Sequence, residues 1–231
     1  MNTKDREQKT SQNSWQHTQN SDYIKLIRNR IENVDLTWVR QFLNIINSEV
    51  DTKNKSISIK DIGCQSFQFY KQIKKNKLPY EYYGYELDES YIKIGLEYFP
   101  ELSKNIYLGD FTKYDDVKQT DISLCSATIE HVDNWNIFLE KMLSSSNKMA
   151  IIRTFLGENT ERKSVRTTDA KADYPIWQFG FTDFLNAIDK LGWKPEVKRD
   201  SFTDSLPIYK SYGVDVTGVV RTQYIVVAKK H

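Results

Sequence analysis

The chain has 231 residues with 39% hydrophobic, 13% aromatic and 28% charged residues, which suits one globular domain with appendages and excludes a disordered or collagen-like chain. Lys and Arg number 33 against 31 Asp and Glu, so a net charge of +2 gives no general electrostatic pull toward nucleic acid or an anionic membrane. Cys64 and Cys125 are too far apart for a disulfide framework or a paired-cysteine metal site, and three dispersed histidines add no ligand spacing, so no metal is expected. No stretch reaches the ~18 apolar residues of a membrane span, and the polar start MNTKDREQKT lacks the apolar run of a secretory signal; the expectation is a soluble cytoplasmic protein.

Residues 1–20, rich in Asn, Gln, Lys, Thr and Ser, carry too little apolar surface to order themselves and read as a flexible segment. From 21 to 50, Tyr23, Ile24, Ile27, Ile31, Val39, Phe42, Leu43 and Ile46 recur at three- and four-residue steps, predicting two amphipathic helices divided near Asn33 to Asp35, an N-terminal cap. The remainder, 51–231, alternates short β-branched runs with helical patterns. Strands are predicted at 57–62, 82–86, 105–108, 121–125 and 148–155, with helices at 67–75, 89–99 and 135–143 between them. Repeated βα units argue for a doubly wound, mostly parallel α/β sheet with helices on both faces.

The polar stretch 157–173 reads as the main part of a loop or lid spanning 157–181, after which Thr182 is expected to cap a helix over 183–190 that stops at Gly192. Strands at 193–199 and 223–229 follow, with a second rim element over 201–221 between them. The run Lys71 to Lys77 is basic, but on a helix opposite its apolar face it is expected to be solvated.

Ligands of an open α/β sheet sit beyond the carboxyl ends of its strands. The first strand ends in Asp61-Ile62-Gly63-Cys64-Gln65-Ser66, where a glycine permits a tight turn into a helix N-terminus. The second ends at Glu86, a carboxylate able to accept from both hydroxyls of a ribose, with Asp88 suited to cap the next helix. The third ends in Gly109-Asp110-Phe111, an acid with an aromatic. The fourth ends in Ala127-Thr128-Ile129-Glu130-His131, which brings an acid and an imidazole to the same rim.

In order and spacing, DIGCQS, YGYELD, LGDF and ATIEHV resemble the motifs of the class I S-adenosylmethionine-dependent methyltransferases, over roughly residues 56 to 155. The resemblance implies a seven-stranded sheet whose last strand runs antiparallel, and S-adenosyl-L-methionine as cofactor. It implies that Asp61 and Gly63 hold the methionine part, Glu86 the ribose, and Asp110 with Phe111 the adenine. By the same resemblance Thr128 or its neighbours would lie near the methyl-bearing sulfur, with Cys64, Gln65 and Leu87 completing the cofactor set. Where the family often has three alternating glycines, this chain has Gly63, Gln65 and Phe67; a backbone with negative φ would accept both side chains.

His131 is the candidate general base, with a structural imidazole as the competing reading. Arg153 at the tip of the fifth strand, with Trp177 and Gln178 before the Thr182 helix, are candidate acceptor contacts; solvation of the arginine and plain loop packing are the alternatives. The acidic lid residues Glu158, Glu161, Asp169 and Asp173 disfavour nucleic acid. The expected activity is methyl transfer to an O or N atom of a small-molecule acceptor, such as a sugar or secondary metabolite. An RNA or protein methyltransferase of the same fold, a catalytically silent binding module and, weakest, a nicotinamide oxidoreductase are the alternatives; the sequence does not decide the oligomeric state.

Overall fold

A computed structural model describes residues 21–50, 56–165, 174–205 and 223–230. Two helices open it, α1 (Ser21–Glu32) and α2 (Thr37–Glu49), then β1 (Ile57–Ile62), α3 (Gln68–Lys75), β2 (Tyr80–Glu86), α4 (Glu89–Tyr98), β3 (Ile106–Leu108), β4 (Thr120–Ser126), α5 (Trp135–Ser144) and β5 (Ser146–Gly157). After these come β6 (Glu161–Val165), β7 (Tyr174–Gly180), α6 (Phe181–Lys190), β8 (Trp193–Arg199), the short α7 (Ser201–Asp204) and β9 (Gln223–Lys230). The expected flexible segment 1–20 and most of the expected rim element 201–221 lie outside the described residues.

Strands β3, β2, β1, β4 and β5 pair in that order, all in parallel. β9 adds antiparallel to β5, and β8 antiparallel to β9. This gives the expected mostly parallel seven-stranded core with an antiparallel last strand. Because β2 and β4 flank β1 on opposite sides, the chain reverses its winding there, and the carboxyl ends of β1 and β4 form the switch point at which sheets of this kind take ligands.

Alternation along the buried strands sends successive side chains to opposite faces. Ile57, Ile59, Met149, Ile151, Ile225 and Val227 pack with the apolar faces of α1 to α4. Ile62, Ala150, Ile152, Val226 and Ala228 pack instead with Phe138 and Leu139 of α5 and Phe184 and Ile188 of α6.

Three sequence expectations need correction. The stretch 157–181 contains a strand pair rather than a plain loop: β6 and β7 pair antiparallel from Glu161 opposite Gln178 to Val165 opposite Tyr174, and β7 continues β5's edge at Leu156 opposite Phe179. Polar side chains do not prevent this, because the ladder is made by the backbone and because Ile176 and Phe179 supply buried anchors. Residues 166–173 lie outside the described part. Thr182 is not the helix cap: α6 begins at Phe181 after Gly180, whose amide donates to Thr160 Oγ1 at 2.8 Å.

The basic run on α3 is not simply solvated. Lys71 Nζ donates to the carbonyls of Arg30 (3.1 Å) and Val34 (2.8 Å), satisfying acceptors at the end of α1. Lys75 Nζ and Gln72 Nε2 both bind Asp35, which these donors hold down at a pKa of about 2, and Lys74 pairs with Glu101. Lys71 and Lys75 of this run thus help fasten the two N-terminal helices to the sheet domain, whereas the exposed Lys74 bridges α3 to the turn after α4.

Candidate functional site

Gly63, directly after β1, has φ +75°, and a Cβ placed there would come within 2.1 Å of Thr128 Oγ1. The absence of a side chain at Gly63 is therefore what allows the β1 turn to lie against the β4 turn. The amides of Gly63 and Cys64 donate to Tyr85 O, fixing the turn on β2.

Glu86, at the tip of β2, is almost fully buried and gathers three backbone amides: Gln65 N on Oε2 (2.8 Å), and Leu87 N (2.8 Å) and Asp88 N (3.0 Å) on Oε1. Burial pushes its pKa above the usual carboxylate range while the amides oppose that shift. One carboxylate thus holds the loop after β1 to its own strand's end. Asp88 caps α4, accepting from Ser90 N, and Asp110 caps the single turn Phe111–Lys113, accepting from Thr112 N. Phe111 is buried edge-on against Tyr85 and Phe138. Beside Glu86, Leu87 is 52% exposed and Leu108 at the tip of β3 is 50% exposed, giving an apolar ledge at the sheet edge.

Asp61 is buried near the end of β1, where its Oδ2 accepts from Tyr82 Oη at 2.9 Å. Desolvation, with the Glu86 charge adding, pushes it up to about 7. Cys64 is buried with its thiol raised by desolvation, which makes it packing material rather than a nucleophile.

The expected negative φ in the glycine-poor turn is not what the structure contains. Gln65 has φ +49° and Phe67 φ +65°, both left-handed, a conformation that costs a non-glycine residue on the order of 1–2 kcal/mol. Each side chain meets a partner. The Phe67 ring is fully buried and stands where a Cβ on Gly95 of α4 would come within 2.4 Å, and Gln65 Nε2 donates to Tyr23 Oη of α1 at 3.1 Å.

At the tips of β4, β5 and β9 a second polar group is assembled from side chains. Glu130 is buried, accepts from Thr154 Oγ1 (2.9 Å) and from Gln223 Nε2 (3.5 Å), and is pushed up to about 7 by desolvation. Arg153 faces neither solvent nor an open pocket: its Nη2 donates to Asp200 Oδ2 at 2.9 Å, with the two side chains 3% and 0% exposed. Asp200 also caps α7 through Thr203 N. The half-buried His131 ends the single turn Ile129–His131, and burial lowers its pKa to about 4. Trp177 Nε1 donates to Val132 O at 2.9 Å, so β7 is joined to the residue next to His131, and Gln178 Nε2 reaches Asn159 O at 3.4 Å.

The fold thus sets Gly63 against Thr128 and holds the Gln65 and Leu87 amides on Glu86 at the carboxyl ends of β1, β2 and β4, and brings Trp177 beside the His131 turn. Sequence reasoning missed Tyr82, Thr154, Asp200 and Gln223. Of these, only Asp200 carries a local signature, an aspartate three positions before a threonine at a helix start. Among the described residues no group of three or more His, Cys, Asp or Glu is placed to hold a metal, and no helix is long and apolar enough to cross a membrane.

No family model and no curated protein matches this sequence. Solved structures do match in fold. Magnesium protoporphyrin IX methyltransferase from Synechocystis PCC 6803, with bound S-adenosylmethionine, superposes with a TM-score of 0.63 at 12% identity, covering 96% of this chain and 97% of that one. The 1,6-didemethyltoxoflavin-N1-methyltransferase of Burkholderia thailandensis gives 0.58 at 12% identity, covering 91% and 86%. An amino pentose methyltransferase from Micromonospora echinaspora gives 0.57 at 12% identity, covering 90% and 97%. The chain has the class I methyltransferase fold.

Proposed function

We propose that this chain is an S-adenosylmethionine-dependent methyltransferase acting on an O or N atom of a small-molecule acceptor. One observation carries the reading: at the switch point of this fold, Gly63 lies against Thr128 while Glu86 draws the intervening loop onto the tip of β2. The residues fit the cofactor. Leu87 and Leu108 offer an apolar ledge for a purine beside Asp110. A carboxylate has about four lone-pair sites, so Glu86, with three occupied by amides, keeps room for one ribose hydroxyl. The buried Asp61 gains from a nearby cation, as the methionine ammonium supplies.

When bound, the sulfonium supplies an activated methyl carbon for in-line displacement, so the chain's task is alignment, exclusion of water and, for a hydroxyl or protonated amine, removal of one proton. His131, lowered to about 4, is neutral at pH 7 and able to accept that proton, though as a weaker base than ordinary imidazole. Trp177, fixed beside it on β7, is placed to wall the acceptor. A small acceptor, as in the porphyrin, toxoflavin and amino pentose enzymes of similar fold, suits this rim better than RNA, because Lys71, Lys74 and Lys75 are consumed by carbonyls and acids.

Calorimetric titration with S-adenosylhomocysteine tests the reading. Binding is expected, weakened on the order of tenfold to a hundredfold in Glu86→Ala through loss of charged hydrogen bonds. No binding by the wild-type chain overturns the enzyme reading in favour of a silent module. His131→Ala should keep that affinity and lose turnover of methyl-labelled cofactor if the imidazole is the base.

A further inference from the structure

Gln65 is joined in two directions at once. Its backbone amide donates to Glu86 Oε2 at 2.8 Å, and its side-chain amide donates to Tyr23 Oη at 3.1 Å. Both bonds are made with residue 65 in a left-handed backbone, a conformation a glycine adopts freely and a glutamine does not. Tyr23 stands in the first turn of α1 with its ring 6.3 Å from that of Tyr91 on α4. Further along, α1 is fastened to α4 by Arg28 on Glu97 and by Tyr98 on Glu32, and to α3 by Lys71 on the Arg30 and Val34 carbonyls. The helix is thereby held over the very turn that Gln65 occupies.

We propose that Tyr23 is a positioning residue for the cofactor loop: its hydroxyl holds the Gln65 side chain, keeps the Gln65 amide on Glu86, and so makes docking of the N-terminal helix part of nucleoside binding. Position 65 replaces the freedom of a glycine with a tether to another element. If Tyr23 lets go, the strained backbone has less to hold it, the residue relaxes toward negative φ, and Glu86 loses one of its three amides. The ligand named here rests on the methyltransferase reading, whereas the tether itself does not.

The test is a double-mutant cycle on the full chain with Tyr23→Phe, Gln65→Gly and the pair, read by S-adenosylhomocysteine titration and by hydrogen exchange of the residue-65 amide in the unliganded protein. Phenylalanine keeps the ring contact with Tyr91, so only the hydroxyl is removed. Tyr23→Phe is expected to weaken binding roughly three- to tenfold and to speed exchange at position 65 by a similar factor. In the Gln65→Gly background the same substitution should change affinity less than about twofold, because glycine needs no tether. Equal weakening in both backgrounds would mark Tyr23 as general packing and overturn the proposal, as would unchanged affinity and exchange in Tyr23→Phe. If the wild-type chain does not bind S-adenosylhomocysteine, the functional reading fails, and the exchange measurement still decides the tether.

Discussion

At the tips of β2 and β3 the carboxylates are satisfied mainly by amides one or two positions away, as in Glu86 with Leu87 and Asp88, and Asp110 with Thr112. At the tips of β4, β5 and β9 the polar groups are satisfied by side chains 24, 47 and 93 positions away: Glu130 with Thr154, Arg153 with Asp200, and Glu130 with Gln223. The first region is a set of local turns that the sheet brings side by side. The second exists only once the strands are assembled. Local turns survive the loss of a neighbour, whereas a buried network leaves a charge stranded when one member is removed.

The largest effect should therefore come from the second region. Arg153→Met removes one partner of a fully buried ion pair and leaves Asp200 uncompensated, at an expected cost of about 3–5 kcal/mol in chemical denaturation. Adding Asp200→Asn should restore much of that loss. If Arg153→Met costs under about 1 kcal/mol, the contrast between the two ends of the rim fails.

Gly63→Ala strikes the turn after β1, which lies between these two regions and meets the β4 turn at Thr128. The left-handed backbone and the Thr128 contact together should cost on the order of 2–4 kcal/mol, and Thr128→Ser should recover part of it. A fully stable Gly63→Ala protein would mean that the β1 and β4 turns do not meet.

The smallest effect is electrostatic. Asp61 is raised from 3.8 to about 7 in the folded chain, so between those values the native state holds a proton that the unfolded state has lost. Its contribution is fully present below about pH 4 and disappears as pH rises through about 7. Asp61→Asn keeps an acceptor for Tyr82 Oη and should flatten the fall in stability between pH 5 and pH 8 by on the order of 2 kcal/mol. His131, lowered to about 4, contributes the opposite slope between about pH 4 and 6.5, and the comparison of the two proteins cancels it. Identical pH profiles would show that Asp61 ionises normally.

Much of this was legible without coordinates. Apolar periodicity located α1 and α2 and the break between them, and runs rich in β-branched and aromatic residues located the five parallel strands to within two residues at every end, because such side chains suit a pleated, largely buried surface. Glycines and acids marked the turns at the strand ends, as at Gly63, Glu86 and Asp110, since turn chemistry is local. The β6–β7 pair escaped because ladder hydrogen bonds are made by backbone atoms that polar side chains conceal.

What the amino-acid order determined alone is the winding of the sheet and the identity of the groups delivered to its rim. What only the folded chain decided is how those groups are employed. Arg153 could have met a ligand or solvent, yet a buried guanidinium needs a carboxylate, and Asp200 lies 47 positions on. Gln65 and Phe67 could have taken an ordinary backbone, yet both are left-handed, Gln65 with its amide on Glu86 and its side chain on Tyr23, Phe67 with its ring against α4. Pairings across the molecule depend on distances in space, and spacing along the chain does not encode them.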